Sequence, residues 1–181
     1  VLKENFSSAR GLLSNRLVQV YQDSRGGIWL GGENGLQYFH SASQKFNIYP
    51  GLSNISDQLR GSTLYGIFEV DNDLLMASSG GILVYNRVSN RFIPVKYFTG
   101  YHPGSIRFRS FNKEGQDRWW VCSDQGIYEL RREKNEYVLT RPARLKNLQV
   151  FAKESFRNYV QYAKGEYWFG MTEKGVLYWN Q

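Results

Sequence analysis

Arginine and tyrosine side chains occupy one position of a fourfold sequence pattern, and their chemistry suits an anionic ligand. The pattern is apolar-x-x-apolar, and its first variable residue is Val18, Tyr65, Arg109 or Arg157. Because a guanidinium fork matches a carboxylate or sulfate, we predict that Arg109, Arg157 and Tyr65 receive such a group on a sugar. The alternative is that both arginines pair with backbone carbonyls or acidic neighbours.

Further candidate ligand residues lie in the loops between these segments. We predict ligand contacts for Arg16 and Arg60, because loops on a rigid scaffold often carry functional side chains. Tyr101 and His102 belong to a Gly-Tyr-His-Pro-Gly loop, where they either stack on a sugar ring or serve as turn and packing residues. The loops are expected to place much of the positive charge on one face, through Arg10, Arg16, Arg60, Arg141, Arg144, Lys146 and Lys153.

The sequence contains no recognisable catalytic or metal-binding pattern. Its only histidines are His40 and His102, and it has neither a Gly-x-Ser-x-Gly elbow nor a phosphate-binding loop. Asp71-Asn-Asp73 lacks the glycine and the final glutamate of a calcium loop, which favours a turn between strands. The single cysteine, Cys122, excludes an internal disulfide and is expected to be a buried thiol. We predict no catalytic residue, no metal site and no cofactor.

An internal repeat supplies the elements that position these residues. Each copy contains a large residue, a short polar turn and a glycine followed by an aliphatic residue, and the large residues are Trp29, Leu75, Trp120 and Trp168. The copies recur about every 45–50 residues and hold about four short strands each, which is typical of propeller blades. We predict an all-β fold, a β-propeller fragment of about four four-stranded antiparallel blades in an incomplete ring. The approximate units are residues 13–50, 60–97, 104–142 and 152–181.

The first repeat resembles a known family. Its Leu13-Ser-Asn, Asp23-x-x-Gly26 and Trp29-Leu-Gly-x-x-x-Gly35-Leu36 elements are similar to the two-component-regulator propeller repeat. The resemblance implies a periplasmic sensor region of a hybrid two-component system histidine kinase from gut bacteria that degrade polysaccharides. It implies an oligosaccharide ligand, neutral or acidic. Its implied partners are the remaining propeller blades and an Ig-like domain of the same receptor.

Composition narrows the possible partners. The chain carries a net charge of +7, which fits an acidic partner. Nucleic acid is not favoured, because the basic residues form no run of five or more and no known nucleic-acid-binding motif is present. No apolar run of about 18 residues exists, so direct membrane insertion by this segment is not expected. Because a signal-peptide pattern is also missing, we expect a piece of a longer protein.

Two other functions remain open. The blades could form a structural, dimerisation or protein-interaction scaffold without direct ligand contact, or a propeller polysaccharide lyase. An incomplete ring leaves an apolar face at each end, and such faces drive association. We therefore predict a homodimer, with Trp168 and Trp179 of the last blade in its interface.

Overall fold

The computed structural model describes residues 5–40, 42–43, 45–48, 62–134, 136–145 and 148–181. Within these residues the chain forms four β-sheets that follow one another in chain order. Neighbouring strands are antiparallel, except that the two-residue strand Val95–Lys96 pairs parallel to the strand Glu136–Thr140. The prediction of an all-β propeller fragment is confirmed, and we call the four sheets blades 1 to 4.

The first two blades have four strands each, the third has five and the fourth has three. Blade 1 comprises β1 (Leu17–Gln22), β2 (Ile28–Gly32), β3 (Gly35–His40) and β4 (Lys45–Ile48). Blade 2 comprises β5 (Leu64–Val70), β6 (Asp73–Ser78), β7 (Ile82–Asn86) and β8 (Arg91–Ile93). Blade 3 comprises β10 (Phe108–Gly115), β11 (Arg118–Ser123), β12 (Gly126–Glu133), β13 (Glu136–Thr140) and β9 (Val95–Lys96). Blade 4 comprises β14 (Phe156–Ala163), β15 (Glu166–Met171) and β16 (Val176–Asn180).

Among the residues that the structure describes, helical turns occur in the N-terminal segment and in the connection between blades 3 and 4. This connection holds a short 3-10 helix, Ala143–Leu145, and a single α-helical turn, α1 (Val150–Lys153). Leu145 and Phe151 from this connection are buried in the apolar cluster between the two blades. A further 3-10 turn, Ser8–Arg10, precedes blade 1.

Every first strand has a β-bulge at its second residue. The register with the next strand skips one residue after Leu17, Leu64, Phe108 and Phe156. In a regular strand, residues three apart lie on opposite faces of the sheet. The bulge adds one residue, so Phe108 and Phe111 both enter the cluster between blades 2 and 3. The apolar-x-x-apolar pattern is therefore the sequence signature of this bulge.

Three apolar clusters form the seams between adjacent blades. The repeated large residue of each blade faces the following blade, so Trp29 packs against blade 2, Leu75 against blade 3 and Trp120 against blade 4. These three side chains are at most 2% exposed. The same position of the repeat therefore contributes a large buried residue to each of the three seams. Burial of apolar surface in these seams holds the blades together.

Each seam also contains a buried carboxylate. It lies at the end of the sheet where the first strand turns into the second. In the seam of blades 1 and 2, Arg87 contacts both Asp23 and Glu69. In the next seam Tyr137 Oη donates to Asp73 Oδ2 at 2.7 Å. In the seam of blades 3 and 4, Glu114 accepts hydrogen bonds from Tyr159 and Arg144. Sequence analysis missed these groups, because their partners come from different blades.

The two ends of the arc differ. At blade 1, Phe6 packs on Phe39 and Phe46 and partly covers the outer face. At blade 4, the outer face exposes five large apolar side chains, Val160, Tyr162, Trp168, Val176 and Tyr178. Trp179 is not among them, and its predicted place at this end is wrong. Successive residues of β16 point to opposite faces, so Trp179 packs on Tyr167 in the seam with blade 3.

Candidate functional site

The candidate site is the row of bulge residues on the first strands of the four blades. Val18, Tyr65, Arg109 and Arg157 are the residues that the register skips. These first strands lie side by side, β1 against β5, β5 against β10 and β10 against β14. A bulge redirects the side chain of its extra residue, and bulges are frequent next to binding sites. The sequence pattern singled out this position, and the structure shows that it is a bulge in all four first strands.

Arg109 and Tyr65 are in contact across the seam of blades 2 and 3. The Arg109 guanidinium carbon lies 4.1 Å from the centre of the Tyr65 ring, a cation–π contact. Arg109 Nε is buried and makes no hydrogen bond with any residue that the structure describes. Stacking holds the guanidinium plane in place and leaves its edge to donate to an acceptor.

Arg157 lies on the neighbouring first strand and is exposed. Its backbone oxygen accepts a 3.0 Å hydrogen bond from Ser110 Oγ, which fixes β14 against β10. Neither Arg157 nor Arg109 has an acidic partner among the described residues. Two adjacent blades therefore present uncompensated guanidinium groups at matching bulge positions, an arrangement that favours an anionic ligand.

The strands also come close together at this row. A Cβ atom on Gly66, the residue after Tyr65, would lie 2.6 Å from the backbone oxygen of Arg109. Glycine is therefore required there for the approach of β5 to β10. The close approach brings Tyr65 and Arg109 within stacking distance.

The other predicted ligand residues lie apart from this row. Arg16 is exposed and pairs with Glu33 at 3.0 Å. Tyr101 stacks on Tyr97 at 3.9 Å between ring centres, at the seam of blades 2 and 3. His102 is exposed in the following turn. Arg60 lies outside the described residues.

Burial keeps the phenol groups of Tyr97 and Tyr101 protonated at the seam of blades 2 and 3. Tyr97 Oη donates to the Ile82 backbone oxygen at 3.0 Å and accepts from the Ile82 backbone N–H at 2.8 Å. Burial raises the pKa of the Tyr97 phenol. It also raises the pKa of Tyr101, which is less completely enclosed. Both phenols are therefore neutral packing groups, and Tyr101 has one ring face covered by Tyr97.

The predicted basic face needs one correction. Arg144 is not on the loop face, because its guanidinium lies 4.1 Å over the Trp120 ring and reaches Glu114 at the other end of β10. Arg141 does stay near the loops, where it donates to the Gln125 backbone oxygen at 2.9 Å and stacks on Tyr128 at 3.9 Å. The positive charge on the loop face is therefore smaller than the loop sequences indicate.

The cysteine and the acidic turn that could take part in covalent or metal chemistry lie in blades 2 and 3. Cys122 is fully buried, and burial raises the pKa of its thiol to about 12. Asp71 and Asn72 form the turn between β5 and β6, and Asp73 is the first residue of β6. Among the described residues, no three His, Cys, Asp or Glu side chains are grouped closely enough to hold a metal ion. In the same part of the chain, no helix has the length and apolarity needed to cross a membrane.

Comparison with known proteins identifies the repeat. Residues 11–34 match the family model described as the two component regulator propeller. This segment includes Asp23, whose carboxylate accepts hydrogen bonds from Trp29 Nε1 at 2.8 Å and from the Gly27 backbone N–H at 2.8 Å. The paired Asp and Trp of the sequence motif are thus a structural clamp on the turn before β2. No curated protein is significantly similar in sequence.

Solved structures with this fold include two from B. thetaiotaomicron. The extracellular domain designated hybrid two component system BT3049 superposes with a TM-score of 0.75 at 17% identity, over 98% of this chain and 25% of its own. That of BT4673 gives a TM-score of 0.69 at 16% identity, over 96% and 22%. PorZ, a surface component of the type-IX secretion system of Porphyromonas gingivalis, gives 0.50 at 12% identity, over 99% and 34%.

The chain spans about a quarter of the two extracellular domains that it matches. At these levels of identity the likeness establishes the fold. The family match covers the part of the chain in which Asp23 and Trp29 form the turn clamp. The chain therefore carries a two-component regulator propeller repeat and has the fold of the part of these extracellular domains that it matches.

Proposed function

We propose that this chain is the ligand-sensing part of an extracytoplasmic, periplasmic sensor in a hybrid two-component system, and that it recognises an acidic oligosaccharide. The family of its first repeat and the extracellular domains that share its fold support the sensor function. The row of bulge residues supports the ligand class. In particular, Arg109 is stacked on Tyr65 and has no acidic partner in the described part of the chain.

Ligand binding at this row has a direct route to signalling. The row joins first strands of adjacent blades, so an anion held by Arg109 and Arg157 ties blades 3 and 4 together. A ligand that binds one arrangement of blades or propellers better than another shifts the equilibrium between them. That shift is the signal that the proposed kinase receives.

Calorimetric titration of the chain with oligogalacturonate and with a neutral oligosaccharide of equal length tests this proposal. We expect binding of the acidic ligand, weakened roughly tenfold by Arg109→Ala and again by Arg157→Ala, since a hydrogen bond to a charged group is worth about 1.5–3 kcal/mol. The matched control is Arg91→Ala on the outer strand of blade 2, which is exposed and should leave affinity unchanged. Equal affinity for both oligosaccharides contradicts the acidic-ligand assignment, and full affinity in the double variant contradicts the placement of the ligand at the row of bulge residues.

Association through the end blades is a second candidate function, favoured by the bare face of blade 4. In all three seams the repeated large residue is covered by the first-strand face of the next blade, but Trp168 at this position is 45% exposed. Blade 1 offers a matching face, an apolar groove of about 310 Å³ lined by Phe6, Leu12, Leu17, Leu30 and Phe46, among others. A homodimer that seats blade 4 of one copy against blade 1 of the other buries both faces.

Light scattering at micromolar concentrations tests this association. We expect a mass of two chains for the unmodified protein and of one chain for Trp168→Glu, because a carboxylate cannot be buried unpaired in an apolar interface. Lys113→Glu, an exposed change on β10, is the control for altered charge. A monomeric mass that does not change with concentration rules out the dimer.

A further inference from the structure

We propose a second ligand site, for a uronate or similar carboxylated monosaccharide, in a cleft at the seam of blades 3 and 4. The cleft has a volume of about 510 Å³ and is lined by Glu114, Arg144, Gln161, Lys164, Tyr167 and Gln181. This volume lies within the range of small-molecule sites in proteins. Glu114 and Arg109 lie near opposite ends of β10, so the cleft is distinct from the bulge row. The inference does not depend on the proposed sensor function.

The acidic group of the cleft is fully engaged by its neighbours. The Glu114 side chain is only 3% exposed and accepts hydrogen bonds from Arg144 Nη2 and from Tyr159 Oη. Tyr167 Oη adds a longer contact of 3.4 Å. Burial and the Glu114 carboxylate together raise the pKa of Tyr159, so this phenol remains a donor. A neutralised carboxylate of this kind orients Arg144 without repelling an incoming anion.

Arg144 is held rigidly in the wall of the cleft. Its guanidinium carbon lies 4.1 Å over the Trp120 ring and 5.6 Å from the centre of the Tyr167 ring. Nη2 donates to Glu114 and to Tyr167 Oη, the latter at 3.2 Å, whereas Nη1 donates to the exposed Gln181 Oε1 at 3.2 Å. A ligand carboxylate can replace that amide oxygen, and it gains a donor that is already oriented.

Lys164 supplies a second cation. It belongs to the turn between β14 and β15, is exposed, and forms no ion pair with any residue that the structure describes. With Glu114 paired to Arg144, Lys164 adds a second cationic group to the lining of the cleft. The Gln161 and Gln181 amides offer both donors and acceptors, which suits the hydroxyl groups of a sugar ring. Charge and amides together favour a carboxylated sugar over a simple inorganic anion.

The other two seams show that the cleft is particular to this place. The arginine that binds the seam carboxylate is 5% exposed in the first seam, compared with 32% for Arg144 in the third. In the second seam the buried carboxylate, Asp73, is bonded by Tyr137. In the first seam, Arg87 is enclosed by Asp23 and Glu69 and has no access to a ligand. The same kind of ion pair is thus sealed between blades 1 and 2 and open to solvent between blades 3 and 4.

Calorimetric titration of the whole chain with D-glucuronate, glucose and inorganic phosphate tests the site. We expect glucuronate to bind, glucose to bind at least tenfold more weakly, and phosphate to bind more weakly than glucuronate. Lys164→Ala should lower the glucuronate affinity roughly tenfold, since it removes one charged donor from an open cleft. Gln161→Ala should lower it by a smaller factor, and Lys45→Ala on blade 1 should not change it.

Three results overturn the proposal. One is glucuronate binding that Lys164→Ala leaves unchanged, and another is equal or tighter binding of glucose or phosphate. The third is loss of all glucuronate binding in Arg157→Ala with retention in Lys164→Ala, which assigns the ligand to the bulge row instead. Failure of oligogalacturonate to bind at the bulge row leaves the cleft assignment standing, so the two proposals fail separately.

Discussion

Trp120 and Trp168 occupy the same position of the repeat and experience opposite environments. Trp120 is fully buried, with Tyr159, Phe169 and Trp179 of blade 4 and the Arg144 guanidinium around its ring. Trp168 is 45% exposed and contacts the Tyr178 ring of its own blade. The difference shows that a repeat specifies which face a blade presents, whereas the energy of that face depends on the blade that covers it.

The largest expected effect compares these two tryptophans directly. Trp120→Ala should lower the free energy of unfolding by about 3–5 kcal/mol, because it leaves a cavity in a closely packed seam. Trp168→Ala should lower it by less than about 1 kcal/mol, because little packing is lost. Urea denaturation followed by far-UV circular dichroism measures both. Similar losses in the two variants would mean that the face of Trp168 is covered in solution.

Two glycines of the repeat sharpen the comparison. Gly126 has φ of +95°, and a Cβ atom there would lie 2.2 Å from the Phe151 backbone oxygen. Gly175, its counterpart in blade 4, has φ of +74° and no atom within 4 Å of that position. Gly126→Ala should therefore cost about 2–4 kcal/mol, from backbone strain and a clash with α1. Gly175→Ala should cost about 1–2 kcal/mol from strain alone, and equal losses in thermal unfolding contradict this account.

The carboxylate of the first seam should make stability depend on acid. Burial opposes the ionisation of Asp23, but hydrogen bonds from Trp29, Gly27 and Arg25, together with Arg87, hold its pKa below the ordinary value of 3.8. Because the pKa of Asp23 is lower in the folded chain, its ionised carboxylate stabilises the fold at pH values above the ordinary pKa of 3.8. This stabilisation is lost as the pH falls through the folded-state pKa. The free energy of unfolding should therefore decrease below about pH 4.

The variant Asp23→Asn isolates that contribution. It should destabilise the chain by about 1–3 kcal/mol at pH 7, since Trp29 Nε1 and Arg87 lose their charged acceptor. The difference between the two proteins should shrink as the pH is lowered. Urea titrations at several pH values check this, and a constant difference down to pH 2 would exclude Asp23 as a source of the acid sensitivity. Glu173→Gln, at an exposed turn of blade 4, serves as the control.

The smallest expected effect on stability gives a sensitive probe of the bare face. Val176 is 63% exposed on blade 4, so Val176→Cys should change the free energy of unfolding by less than about 0.5 kcal/mol. Its thiol should react with an aromatic disulfide reagent at once. Cys122, fully buried and with a pKa raised to about 12, should react only as fast as the chain opens. Slow labelling of Val176→Cys that accelerates on dilution would reveal association through blade 4.

Much of the fold could be predicted because its signals are local. The spacing of Trp29 and its counterparts predicts the blades, and the apolar pair of Phe108 and Phe111 marks a bulge in an otherwise regular strand. The seam carboxylates could not be predicted, because Asp73 and Tyr137 are 64 residues apart and meet only when two blades pack. Arg144 was assigned to the wrong region for the same reason, since Trp120 and Glu114 draw it into a seam.

The sequence by itself determined the repeat, the all-β class and the positions of the bulge residues, because each depends on residues that are neighbours along the chain. Only the tertiary structure decided which of those positions become a site. Arg109 meets Tyr65 because Gly66 lets β5 approach β10. Trp120 is buried and Trp168 is exposed although their local sequences match, because the burial of a blade face is a property of two packed blades and not of one.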